Sequence, residues 1–155
     1  MKRIKAIREI MKKVKDELVV TSPGMISREV YWVKDRPENF YVLGTMGAAL
    51  GIGIGLALFL ERKVIVIIGD GDALINLGSL VLMNKLKLKN LELIILDNNS
   101  YQSCGGQPSC SDAIDFKKIC KCKVIRVSES DFQVPRIPLK PEEIMRRFYN
   151  VINRA

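Results

Sequence analysis

Asp70 stands between two glycines, Gly69 and Gly71, at the end of the apolar run Val64–Ile68. Asn98 follows 28 residues later, at the end of a second apolar run, Leu93–Leu96. A carboxylate and a carboxamide are hard oxygen donors. A divalent cation such as Mg²⁺ takes oxygen ligands, keeps few protein carboxylates and fills its shell with phosphate and water. Asp70 offers one oxygen, the Asn98 side chain a second, and a backbone carbonyl just beyond Asn98 a third. Gly69 and Gly71 allow a sharp turn and a close approach of backbone to phosphate. A helix expected to begin near Ala73 aims its N-terminal amides at the same place. The local reading is a Mg²⁺–diphosphate site. The competing reading of the same residues is two ordinary turns after buried strands, and neither segment alone separates the two.

The elements around these residues favour the site. Both apolar runs have strand length, and a helix-sized insert separates them, which is the pattern of a βαβ unit in a parallel sheet. Ligands of such sheets bind outside the carboxyl ends of the strands, so Asp70 and Asn98 are expected to share one crevice. The expected architecture is an α/β three-layer sandwich around a mainly parallel sheet of about five strands. With 155 residues the chain fills one domain, residues 1–155.

Gly69-Asp70-Gly71 followed by Asn98 resembles the metal motif of thiamine-diphosphate enzymes. The flanks, Gly44-Thr45-Met46-Gly47 before a glycine-rich helix and Tyr101-Gln102-Ser103-Cys104-Gly105-Gly106-Gln107-Pro108-Ser109 after the asparagines, narrow the resemblance. They are similar to the sulfopyruvate and phosphonopyruvate decarboxylases, over about residues 15 to 130. The resemblance implies the thiamine-diphosphate-binding fold, in its diphosphate-binding domain, and a 2-oxo acid decarboxylase (a carboxy-lyase) of the kind used in coenzyme M biosynthesis. It implies thiamine diphosphate and Mg²⁺ as cofactors. Asp70, Asn98 and the Ser100 carbonyl would hold the metal. Gly44, Thr45, Met46, Gly69, Gly71, Asp72 and Tyr101 would complete the cofactor site. Gly44 would offer its carbonyl to the aminopyrimidine, and Met46 would wedge the cofactor into its V shape, whereas sequence alone would read Met46 as core. Ser103, Gln107 and Ser109 become candidates for an anionic substrate, with holding the loop as the equal alternative for Gln107 and Ser109, and the loop from Ser22 to Ser27 faces the same site. The activating glutamate of these enzymes lies on a pyrimidine-binding domain for which this chain has no room. A partner subunit of similar fold is therefore implied, in a cytoplasmic hetero-oligomer inactive without it.

The remaining features bound other classes. Net charge is +8 and there is no histidine, so an imidazole acid or base would have to come from another chain. Seven of the basic residues fall in the first fifteen, without interleaved aromatics to stack bases. They read as the solvated face of an amphipathic helix over 3–17 with Ile4, Ile7, Ile10, Met11, Val14 and Leu18 inward. Cys104, Cys110, Cys120 and Cys122 follow no zinc-site spacing and are expected to be free thiols. Residues 43 to 60 carry no charge, but their five glycines and flanking strands indicate a buried helix rather than a membrane span. Gly51, Gly53 and Gly55 lack the G-x-G-x-x-G spacing of a dinucleotide loop and are expected to let this helix pack closely on the sheet or on a partner. Ser27 is expected to cap a short helix through Trp32. A second helix is expected over 73–87, with Leu74, Leu77 and Val81 inward and Asp72 and Asn76 capping it or reaching the diphosphate.

Overall fold

A computed structural model describes residues 1–130 and 134–153. Five parallel strands form one sheet: β1 (Leu18–Thr21), β2 (Asn39–Tyr41), β3 (Val64–Gly69), β4 (Leu91–Asp97) and β5 (Lys123–Arg126), in the order β2-β1-β3-β4-β5. β3 is buried along Val64–Ile68 and β4 along Leu93–Asp97. Continuous β-branched and leucine runs suit strands covered on both faces. One face carries α1 (Arg3–Lys13) and α2 (Met25–Lys34), whose Ile7, Met11, Ile26 and Val30 pack with Ile65, Ile67 and Ile94. The other carries α3 (Ala48–Phe59), α4 (Asp70–Ile75), α5 (Leu77–Leu86) and α6 (Phe116–Ile119) over Val64, Val66, Ile68 and Leu93. The last helix, α7 (Pro141–Ile152), runs beside the edge strand β2 and places Ile144 in the first core and Phe148 in the second.

The strand order reverses between β1 and β3. At such a reversal the connections after neighbouring strands leave toward opposite faces and open a crevice at the strands' carboxyl ends. Ser22 and Pro23 follow β1 there, and Asp70 follows β3.

Three sequence expectations change. α2 starts at Met25 behind Gly24, whose φ of +84° is a left-handed backbone value. Ser27 lies inside the helix and donates to the Ser22 carbonyl, at 2.5 Å, instead of capping. The helix expected over 73–87 is two helices that meet at Asn76, because the Asn76 side chain caps the second by accepting from the Ser79 amide at 3.2 Å. That break rotates the second helix, so Leu80 and Met83 are buried while Leu77 and Val81 are exposed. The basic helix expected over 3–17 ends at Lys13, while Leu18-Val19-Val20 form the first strand as their apolar run predicts.

The three glycines of α3 divide between two roles. A Cβ on Gly53 would sit 2.2 Å from Val66 Cγ2, whereas Gly51 and Gly55 face open space. Gly53→Ala should therefore overpack the sheet contact and destabilise the fold by about 1–3 kcal/mol. Thermal melts followed by circular dichroism should show the midpoint falling by several degrees, while Gly51→Ala, at an open helical position, melts at or above wild type. Equal melting of Gly53→Ala and wild type would contradict this packing.

Candidate functional site

The crevice at the β1/β3 reversal is a cleft of about 210 Å³. Asp70 forms its floor, 1% exposed. Its Oδ1 accepts from the Asn98 backbone amide at 3.4 Å, and its Oδ2 accepts a short hydrogen bond from Ser109 Oγ. The terminal amide group of Asn98 lies 3.0 Å from Asp70 Oδ1 and 3.0 Å from the Ser100 carbonyl oxygen. With its nitrogen inward, this amide bridges two acceptors. With its oxygen inward, three acceptor oxygens meet, and a cation between them relieves their repulsion. Ligand oxygens at about 2.1 Å from an octahedral Mg²⁺ lie about 3 Å apart, so these three residues fit a small hard cation. Among the described residues no trio of His, Cys, Asp or Glu gathers as a metal site. The donor set here is one carboxylate, one amide and one backbone carbonyl.

The two neighbouring asparagines divide the work. Asn98 faces the cleft. Asn99 turns the chain, with φ +53°, and its Oδ1 accepts from the Ser111 amide at 3.1 Å and Ser111 Oγ at 3.2 Å. Asp97, buried at the end of β4, accepts from Ser111 Oγ at 2.7 Å and from the Asn99 amide at 3.1 Å. Arg126 Nη1 lies 2.8 Å from its other oxygen, as a charge contact outside hydrogen-bond geometry. The turn belongs to Asn99, and Asn98 keeps its side chain free to face the cleft.

Gly44, Met46, Gly69, Gly71, Asp72, Ser100 and Tyr101 line the cleft with Asp70 and Asn98. Gly44 has φ +79°. Met46 is 36% exposed, so it is no core residue. Thr45 is exposed and does not line the cleft. Gly71 sits within α4, and neither it nor Gly69 has a left-handed backbone. Gly71 is small for another reason: a Cβ there would come within 2.4 Å of the Tyr101 ring. The anion-binding helix start expected near Ala73 is instead a six-residue helix beginning at Asp70.

Asp72 and Asn76 brace the Gly44–Gly47 loop. Asp72 Oδ1 accepts from the Gly47 amide at 2.9 Å, and Asn76 Nδ2 donates to the Gly47 carbonyl at 2.8 Å. Burial raises the Asp72 carboxyl pKa, a rise the Gly47 hydrogen bond partly offsets. Asp72 Oδ2 is buried without a partner among the described residues.

Of the substrate candidates, only Ser103 lines the cleft, while Gln107 is exposed outside it. Ser109 takes the structural alternative: it is buried behind Asp70 and donates to that carboxylate. From the loop after β1, Ser22, Pro23, Gly24, Met25 and Ile26 line the cleft, and Ser27 is buried beneath it. Arg3 also lines the cleft, and neither it nor its partner Glu29 is singled out by the sequence as a site residue. Arg3, 5% exposed, pairs with fully buried Glu29 through Nε at 3.0 Å and Nη2 at 2.9 Å. Its Nη1 donates to Gln102 Oε1. Spacing carries a signal for the pair: Arg3 falls in line with Ile7 and Met11, and Glu29 lies beside Ile26 and Val30, so each charge sits on the apolar stripe of its helix. The cysteines are free thiols, and Cys104 lies at the cleft. No helix among the described residues is long and apolar enough to cross a membrane.

An apolar face adjoins the cleft. Leu43, Met46 and Ile75 are exposed in the segments around it, and Leu77, Val81 and Leu82 are exposed along α5, while Leu58 and Phe59 are exposed at the far end of α3, where Asn90 holds the Ala57 and Leu60 carbonyls ahead of β4. Gly51 and Gly55 lie open beside them.

Residues 20–132 match the family model described as "Thiamine pyrophosphate enzyme, C-terminal TPP binding domain". The chain is 37% identical to sulfopyruvate decarboxylase subunit beta of Methanothermobacter thermautotrophicus, covering 100% of this chain and 97% of that one. It is 33% identical to a sulfopyruvate decarboxylase of Methanosarcina acetivorans, covering 99% of this chain and 48% of that longer one. A solved structure of a putative thiamin diphosphate-dependent enzyme from Mycobacterium smegmatis superposes with a TM-score of 0.56 at 17% identity, over 88% of this chain and 32% of that one, a likeness of fold.

Proposed function

Because the chain belongs to the thiamine pyrophosphate enzymes, as their C-terminal TPP-binding domain, we propose that it is the diphosphate- and Mg²⁺-binding subunit of a cytoplasmic 2-oxo acid decarboxylase acting on sulfopyruvate. The observation that carries this reading is the convergence of the Asp70, Asn98 and Ser100 oxygens at the β1/β3 reversal. Thiamine diphosphate, when bound, supplies the electron sink into which the carboxylate's bonding electrons pass as CO2 leaves. The residues of this chain bind and orient. Asp70, Asn98 and the Ser100 carbonyl hold the cation and through it the diphosphate. Ser109 and the Asn98 amide fix the Asp70 carboxylate. Asp72 and Asn76 hold the loop that presents Gly44 and Met46.

The cleft supports a shared site. At about 210 Å³ it is smaller than the roughly 300–1,000 Å³ of typical ligand pockets. Among its described lining residues there is no glutamate or histidine, which fits an activating glutamate supplied by a pyrimidine-binding partner. The bare apolar face around Met46, Ile75 and Val81 is where that partner would seat, since an exposed patch of this kind marks an interaction surface. The experiment is calorimetric titration of thiamine diphosphate, with and without Mg²⁺, into the chain co-purified with its partner, followed by turnover of sulfopyruvate and phosphonopyruvate. Mg²⁺-dependent binding with sulfopyruvate turnover is expected. Phosphonopyruvate turnover alone would move the substrate to the neighbouring decarboxylase. Binding without turnover of either acid would leave a cofactor-binding subunit and overturn the decarboxylase reading.

A further inference from the structure

Gln102 lines the cleft from the loop after β4, and Arg3 fixes which way its amide faces. A guanidinium carries donors only, so the amide oxygen must turn toward Arg3. The amide nitrogen, with two N–H donors, is then directed away from it. Among the described residues no group accepts from that nitrogen. Arg3 itself cannot swing to another task. Glu29 takes Nε and Nη2 in a two-point contact, and Ser130 Oγ donates to Glu29 Oε1 at 2.8 Å, closing the network from behind. The Arg3–Glu29 pair is buried and its charges cancel. What it delivers to the cleft is an oriented, polarised amide.

We propose that the Gln102 amide is the group that recognises the tetrahedral oxyanion at C3 of the 2-oxo acid, and that Arg3 is the positioning residue that aims it. The inference rests on the decarboxylase reading for the identity of the substrate. Sulfonate and phosphonate share the needed chemistry: acceptor oxygens in a tetrahedral array and no donor for the amide oxygen, which Arg3 already occupies. Two N–H donors meet two such oxygens. A tail without acceptors, as in pyruvate, leaves them unpaired in a partly dehydrated cleft, which disfavours it.

The decisive variant is Gln102→Glu, because holding the loop and binding the anion respond to it in opposite directions. A carboxylate still accepts from Arg3 Nη1, with a stronger charge-assisted bond, so any loop-holding role survives. It offers no N–H and repels an anion. The experiment uses the complete complex loaded with thiamine diphosphate and Mg²⁺. Affinity is read by calorimetry for 3-sulfopropanoate, the sulfopyruvate skeleton without its keto group, against propanoate, and kcat and KM are measured for sulfopyruvate.

We expect 3-sulfopropanoate binding to weaken at least tenfold in Gln102→Glu and by less in Gln102→Ala. KM should rise more than kcat falls, propanoate binding should be unmoved, and thiamine diphosphate affinity should be that of wild type. Arg3→Lys, which keeps a charge near Glu29 but loses the fork, should give the same direction with a smaller change. Wild-type affinity in Gln102→Glu would overturn the proposal and leave Gln102 a loop spacer. A wild-type complex with equal affinity for the two anions would overturn it as well. A wild-type complex that binds 3-sulfopropanoate tightly but turns over no sulfopyruvate would instead strike the decarboxylase reading and spare the amide.

Discussion

Replacing Asp70 with alanine is expected to remove Mg²⁺-dependent binding of thiamine diphosphate from the assembled complex. Neighbours of metal ligands already change metal affinity about 10–100-fold when lost, so loss of the sole carboxylate ligand should cost about 100-fold or more. Asp70 is 1% exposed and accepts from Ser109 and from the Asn98 amide. Truncation therefore also strands two buried donors at about 1–3 kcal/mol each, and some loss of stability will accompany it. Asp70→Asn separates the two effects. The carboxamide fills the same space and still has an oxygen for one donor, but brings no charge. It should fold close to wild type and still fail to bind the cofactor. Calorimetry with and without Mg²⁺, beside a thermal melt, makes the comparison. Cofactor affinity within tenfold of wild type in both variants would remove Asp70 from the metal site.

The second large effect concerns assembly. The chain purified without a partner should decarboxylate no 2-oxo acid above background, and adding the partner should restore turnover. The cleft offers the diphosphate end of a site, and α4 and α5 after it expose Ile75, Val81 and Leu82. Because Val81 is already solvent-facing at 59%, Val81→Asp should leave the isolated chain folded. Placed in an interface, the same carboxylate is dehydrated without a partner charge, a penalty that weakens binding strongly. Co-purification and analytical ultracentrifugation should show the complex reduced at concentrations where wild type is fully assembled. Full activity from the lone chain would refute the shared site, and an intact Val81→Asp complex would move the interface to another face.

Much of this architecture was legible in the sequence, and the parts that were not have physical causes. Val64–Ile68 and Leu93–Leu96 read as buried parallel strands because both faces of each are apolar. Their ends located Asp70 and Asn98. Periodicity does not register a side-chain cap, so the sequence predicts one helix after Asp70. Asn76 breaks it, and the rotation that follows exchanges Leu77 and Val81 for Leu80 and Met83 as core residues. Gly71 was attributed to backbone freedom, whereas its constraint is the Tyr101 ring thirty residues on. For Ser109 the sequence leaves substrate contact and loop-holding equally open, because loop membership does not say which way a hydroxyl points. Arg3 was absorbed into a run of basic residues. Its departure from the solvated face shows only in register with Ile7 and Met11, and its partner lies 26 positions away.

The start of α1 has a practical side. The Met1 carbonyl accepts from the Ser128 amide at 2.9 Å, and the Arg3 amide donates to the Ser128 carbonyl at 2.9 Å. The first residues are thereby tied down beside the chain after β5, two positions from a guanidinium that reaches the cleft. A purification handle fused ahead of Met1 leaves both of these bonds available but starts immediately beside them, so any pull it exerts on Met1 is passed to Arg3 and is read in substrate affinity before it is read in a melt. Handles placed beyond α7 avoid this, and comparing the two tag positions on one substrate titration is a control that any kinetic study of this protein should include.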